Sequence, residues 1–129
     1  MSDTRARVLI VEDEAFVVML IEDMLAELGF EIAGIASRVA AAMPLVATLD
    51  FDLAILDVNL GGEMSFPVAD AIAGKGVPYL FATGYGRPAI TAEHAHRPVI
   101  KKPFSIHDLR SAIQVSLSGE PAPQEPKPG

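Results

Sequence analysis

An open parallel α/β sheet is the fold class this sequence predicts, and three observations predict it. Residues 8–11 (Val-Leu-Ile-Val), 53–56 (Leu-Ala-Ile-Leu) and 78–82 (Pro-Tyr-Leu-Phe-Ala) are short runs without the polar alternation of a half-exposed strand. They read as strands covered on both faces. Between them lie segments with apolar residues at helical spacing. Strand-like and helix-like stretches alternate five times, the pattern of a parallel sheet with helical crossovers.

Each element has its own signal. The first strand, 8–11, runs into Glu12 and Asp13, and a helix over 14–28 follows. Its apolar stripe is Val17, Leu20, Ile21, Met24, Leu25 and Leu28, with Gly29 as the stop. Ala15, Val18, Met19 and Glu22 lie beside that stripe and are more apolar than a solvated face requires. Residues 30–36 give a strand weakened by Gly34. Ser37 is a candidate N-cap for a helix to about residue 48, which Pro44 should kink or delay.

The third strand delivers Asp57 to its end, before a loop at 61–65 and a helix from Pro67 to Gly74. The fourth strand ends at Thr83 and Gly84. Residues 85–97 show no clean period and predict at most a weak, mobile helix. Residues 99–102 form the fifth strand, stopped by Pro103. A capping-box pattern, Ser105 with Asp108, opens a last helix with Ile106, Leu109, Ile113 and Leu117 inward and Gly119 beyond it. The Pro-rich residues 119–129 predict a disordered tail behind a single domain at 1–118.

Composition narrows the function classes. A length of 129 residues supports one core, and the lack of cysteine excludes thiolate nucleophiles and thiolate metal sites. A net charge of −7 argues against a nucleic-acid surface. Residues 1–7 are polar and no apolar run reaches spanning length, so a cytoplasmic protein without membrane insertion is expected.

In open parallel sheets the working site lies at the carboxyl ends of the strands. That rule selects Glu12, Asp13, Asp57, Thr83 and Lys102. Two carboxylates about 4 Å apart repel by roughly 4 kcal/mol at an effective dielectric near 20, and a hard divalent cation removes the penalty. Mg²⁺ held by Glu12, Asp13 and Asp57, with the backbone carbonyl of Asn59 as a further ligand, fits that chemistry. Asp57 as nucleophile, Thr83 as hydroxyl donor and Lys102 as ammonium complete a set for phosphoryl transfer to a carboxylate.

The ordered pieces Val11-Glu12-Asp13, Leu56-Asp57, Ala82-Thr83-Gly84 and Lys102-Pro103-Phe104 resemble the response-regulator receiver domain of two-component signalling, over residues 8–117. The resemblance implies a flavodoxin-like (βα)5 doubly wound five-stranded parallel sheet of order 2-1-3-4-5. It implies that Asp57 is phosphorylated by the phosphohistidine of a histidine kinase or histidine phosphotransfer protein, with Mg²⁺ as cofactor. Thr83 and Lys102 would contact the phosphoryl oxygens, and the chain would be no enzyme beyond its own phosphorylation and dephosphorylation. The output would be contact with a downstream protein, because no effector domain follows Leu117 in this sequence, or the chain would act as a phosphate sink or shuttle.

Two positions depart from the common pattern. Glu12 replaces an Asp, which leaves direct and water-mediated metal contact both open, and Val99 stands where many receivers carry an aromatic switch. Residues 81–86 (Phe-Ala-Thr-Gly-Tyr-Gly) resemble the FATGUY subgroup, in which the segment after the fourth strand is mobile. A kinase would dock across the first helix at Ala15, Val18, Met19 and Glu22. His94, His96 and His107 read as surface residues, since two histidines two apart with no third ligand do not make a metal site. The rival readings are an aspartyl-phosphate hydrolase of the haloacid dehalogenase type, which wants an acid where Asn59 stands, and a receiver fold kept only for protein contacts.

Overall fold

The strands form where β-branched and aliphatic residues cluster, and their side chains divide between two cores by strict alternation. The computed structural model describes residues 5–84 and 90–118. In chain order the elements are β1 (Arg7–Val11), α1 (Ala15–Leu28), β2 (Glu31–Ala36), α2 (Val39–Thr48), β3 (Leu53–Asp57), β4 (Asn59–Leu60), β5 (Glu63–Met64), α3 (Phe66–Gly74), β6 (Tyr79–Thr83), β7 (Val99–Lys101) and α4 (Ile106–Ser118). A 3₁₀ turn covers Ala92–His94. The main sheet has the order β2-β1-β3-β6-β7 with every pairing parallel, which is the expected 2-1-3-4-5 arrangement.

Val8, Ile10, Leu53, Ile55, Leu80 and Ala82 face one core with Ile21 and Leu25 of α1 and Leu109 and Ile113 of α4. Leu9, Val11, Ala54, Leu56, Tyr79 and Phe81 face the other, with Val46 of α2 and Val68 and Ile72 of α3. β3 and β6 are buried at every residue, so their backbones order the whole molecule. Burying two faces of one strand costs the chain nothing in unpaired polar groups, because the parallel ladder satisfies them.

Local chemistry explains most boundaries. Gly34 sits at a register slip between β1 and β2, and a Cβ there would lie 2.7 Å from Leu49 Cδ1, a steric overlap. The α4 capping box is reciprocal: Ser105 N donates to Asp108 Oδ2 at 2.9 Å and Asp108 N donates to Ser105 Oγ at 3.1 Å. α2 starts after Arg38 rather than Ser37 and runs through Pro44 to Thr48. Thr48 Oγ1 donates to the Pro44 carbonyl at 2.8 Å.

Four expectations need correction. The 61–65 loop is a two-stranded hairpin, β4-β5, turning on Gly61 and Gly62, both with positive φ. β7 ends at Lys101, one residue short of Lys102, and the Lys102–Pro103 peptide bond is cis. Leu20 is exposed rather than part of the α1 stripe, while Val18 packs against the core. Of the span 85–97, where at most a weak helix was expected, the described residues 90–97 hold the 3₁₀ turn and no α-helix, and residues 85–89 lie outside the described residues. Tyr85 and residues 119–129, on which the subgroup motif and the tail expectation fall, lie outside the described residues. Among the described residues no helix is long and apolar enough to cross a membrane.

Candidate functional site

The chain reverses its direction of travel across the sheet between β1 and β3, and the crevice at their carboxyl ends is where such a sheet exposes backbone and side chains together. β1 places Glu12 and Asp13 there and β3 places Asp57. One carboxylate oxygen from each lies within 4.8 Å of the other two. Asp13 is exposed, whereas Glu12 and Asp57 are buried. At such spacing each ionised pair repels by about 3 kcal/mol at an effective dielectric near 20.

Lys102 answers that repulsion in part. Its Nζ lies 2.6 Å from Glu12 Oε1 and 3.2 Å from Asp57 Oδ2. Glu12 makes the shorter of the two contacts, a close ion pair at a buried oxygen. Its other oxygen accepts from Glu14 N at 3.1 Å. Burial pushes the Glu12 carboxyl up to about 7, helped by the Asp57 charge and opposed by Lys102 and the Glu14 N–H. Burial also raises Asp57 against the pull of Lys102. On its own, burial would lower the Lys102 ammonium; Glu12 and Asp57 outweigh it and raise it. One ammonium therefore leaves the three carboxylates short of positive charge. Hard oxygen donors grouped within one coordination sphere and this deficit fit a hard divalent cation.

An open cleft of about 430 Å³ leads to Asp57, lined by Asp13, Glu14, Asn59 and Lys102, with Gly61 and Gly84 presenting backbone. Asn59 N lies 3.5 Å from Asp57 Oδ1, and Asn59 Oδ1 accepts from Gly62 N at 2.6 Å, which ties the hairpin turn to the end of β3. A Cβ on Gly61 would sit 3.9 Å from Asp13 Oδ2, an ordinary contact, so a larger residue there would strain the positive-φ turn without clashing with the acidic group. Thr83 ends β6, one residue past the Ala82 that pairs with Asp57, and its carbonyl accepts from Lys102 N at 2.8 Å.

The structure thus brings Glu12, Asp13, Asp57, Asn59 and Lys102 together, with Thr83 on the adjoining strand end. Sequence reading missed Glu14, whose Oε1 lies 3.8 Å from Lys102 Nζ; its place in the run Glu12-Asp13-Glu14 was the available signal. On α1, Ala15 and Met19 are exposed, Val18 and Glu22 are half-buried, and Phe16 and Leu20 join Met19 on the surface. A further correction concerns His94, which is 3% exposed.

Residues 8–114 match the response regulator receiver domain family. The chain is 34% identical over 116 residues to the transcriptional regulatory protein PdtaR of Mycobacterium tuberculosis, covering 87% of this chain and 57% of that protein's length. The solution structure of SdrG from Sphingomonas melonis Fr1 superposes with a TM-score of 0.80 at 41% identity, covering 91% of this chain and 99% of SdrG. The receiver domain of the response regulator PhyR from Erythrobacter litoralis gives a TM-score of 0.77 at 30% identity, covering 95% and 97% of the two chains. A carboxylate cluster at the switch point of a 2-1-3-4-5 sheet and these similarities agree, and the chain belongs to the response regulator receiver domain family.

Proposed function

We propose that this receiver takes a phosphoryl group from the phosphohistidine of a sensor histidine kinase or histidine phosphotransfer protein onto Asp57, and signals in the cytoplasm through contact with a downstream protein. The observation that carries the reading is Asp57 at the floor of an open acidic cleft with Lys102 beside it. An oxygen of the Asp57 carboxylate attacks phosphorus, the P–N bond breaks with its electron pair on the imidazole, and an acyl phosphate remains. The imidazole leaves neutral because its other nitrogen already carries a proton. Glu12, Asp13 and Asp57, with the Asn59 carbonyl, would hold Mg²⁺, which when bound supplies positive charge against the phosphoryl oxygens. Lys102 is within reach of an oxygen on a group attached to Asp57, and Thr83 offers its hydroxyl from the neighbouring strand.

The test is labelling by acetyl phosphate with and without Mg²⁺. Wild type is expected to incorporate one phosphoryl group only with the metal, and Asp57→Asn none; labelling that persists in the variant overturns the assignment.

For kinase docking across α1 we propose the exposed residues Ala15, Phe16, Met19 and Leu20 in place of the half-buried Val18 and Glu22. Phe16 is 70% and Met19 60% exposed, one helical turn apart on the same side. Met19→Lys is expected to slow transfer from a phosphorylated kinase at least tenfold, the loss of about 1.4 kcal/mol of contact. Labelling by acetyl phosphate should be unchanged, and equal slowing of both reactions removes the docking idea.

A further inference from the structure

On the side of β6 away from α1, a second polar cluster lies outside the acidic cleft. Tyr79, Phe81 and Thr83 alternate along β6 and so point to one face of the sheet, the face that α2 and α3 cover. His94, from the 3₁₀ turn, closes over the first two. Its ring meets Tyr79 edge-on at 5.5 Å and Phe81 edge-on at 5.9 Å, and it stacks on Phe66 of α3 at 5.9 Å and 9°.

Both ring nitrogens of His94 are engaged. Burial raises the Tyr79 hydroxyl, against the lowering effect of Arg97, and keeps it a donor. It donates to Nδ1 at 2.5 Å, which leaves Nε2–H to donate to Asp70 Oδ1 at 2.9 Å. The Arg97 guanidinium lies over the Tyr79 ring, 4.4 Å from the centroid. Asp70 and Phe66 belong to α3, Tyr79 and Phe81 to β6, and His94 and Arg97 to the connection between β6 and β7. The network pins residues 94–97 to α3 and β6.

The connection has functional ends. Thr83 precedes it and Lys102 follows it, and Lys102 N donates to the Thr83 carbonyl where the two ends meet. Val99, which pairs with Phe81, presents an aliphatic side chain to the same face, so the ring packed against the Thr83 row comes from His94 instead. A phosphoryl group on Asp57 that draws Thr83 and Lys102 toward itself moves both ends of the segment His94 holds.

We propose that His94 is the latch of the unphosphorylated receiver: its bonds to Tyr79 and Asp70 hold residues 92–97 against α3 and β6, and this arrangement is released when Asp57 carries a phosphoryl group. The proposal rests on Asp57 being the phosphoacceptor. The latch sets how far the resting state is favoured, so weakening it makes the phosphorylated form easier to reach. His94 and Tyr79 are here positioning residues, acting through the backbone of the segment and never touching the phosphoryl group.

Tyr79→Phe keeps the ring and removes the hydroxyl that Nδ1 accepts from. Asp70→Ala removes the other bond at an exposed side chain and so spares the core. The experiment measures the melting temperature of wild type and both variants, in Mg²⁺ alone and in Mg²⁺ with beryllofluoride, together with the apparent beryllofluoride affinity. The latch predicts that each variant lowers the melting temperature in Mg²⁺ alone, has little effect with beryllofluoride, and tightens beryllofluoride binding about fivefold, the factor one hydrogen bond supplies. Equal lowering in both states with unchanged affinity makes the cluster a structural contact only and overturns the latch. Wild type that ignores beryllofluoride altogether overturns instead the assignment of Asp57.

Discussion

Two polar clusters flank β6, and they are built in opposite ways. In the acidic cleft Glu12, Asp13 and Asp57 crowd within 4.8 Å and share one close ammonium, and burial raises both buried carboxyls. In the His94 cluster each ring nitrogen has a partner and three aromatic rings enclose the imidazole. A buried polar group is costly when unpaired and rigidifying when paired. The first cluster is therefore short of positive charge and open to a cation from outside. The second is suited to hold one backbone arrangement. Chemistry and conformation occupy different clusters, joined by Thr83 and by the chain that runs from it to Lys102.

The sharpest way to break that contrast is to remove a charge from the crowded side. Glu12→Gln keeps the shape of a side chain that is 2% exposed and deletes one of the repelling carboxylates. A carboxyl held above its ordinary value of 4.5 costs stability as pH rises from that value to the folded value of about 7, and the cost is complete above it. Without metal the variant is expected to be more stable than wild type at pH 8, by about 1–2 kcal/mol, read from urea denaturation. Its Mg²⁺ affinity should fall at least tenfold, a loss of about 1.4 kcal/mol in binding, read by the stabilisation that added Mg²⁺ produces. A variant that is less stable than wild type and binds Mg²⁺ as well would show that the cluster is satisfied by Lys102 alone. Changes at the His94 cluster have the opposite signature, with stability lost in the resting state.

Most of the cleft was legible in the sequence for the same physical reason. Strand ends in a parallel sheet are marked by the stop of an apolar run, and Glu12, Asp13, Asp57 and Thr83 each stand at such a stop. The capping of α4 followed from an equally local signal, whereas the order of the strands came from the family resemblance and not from any local pattern. The His94 cluster was not legible. Its members are separated by up to 31 positions, from Phe66 to Arg97, and a lone histidine in an aperiodic segment carries no mark of the pocket that tertiary packing makes for it. Val18 and Leu20 exchanged places because both lie near the margin of the α1 stripe, where a rotation of one residue decides which is covered. Pro44 did not break α2 because it sits at an exposed position, leaving the missing donor on the solvent side.

Glu14 sharpens the comparison by the smallest step. Its side chain is 65% exposed and its Oε1 reaches Lys102 Nζ at 3.8 Å from the mouth of the cleft, on the path of an incoming anion. Water screens an interaction at that exposure, so its energetic weight is that of a surface pair. The charge is nevertheless one more repulsion for a dianionic donor and one more competitor for Lys102. Glu14→Gln is expected to raise the rate of labelling by acetyl phosphate about twofold at saturating Mg²⁺, an effect that shrinks as salt is added. Folding stability should not change. A rate that falls instead would give Glu14 a positive part in holding the metal, and the crowded cluster would then have four carboxylate members rather than three with a bystander at the door.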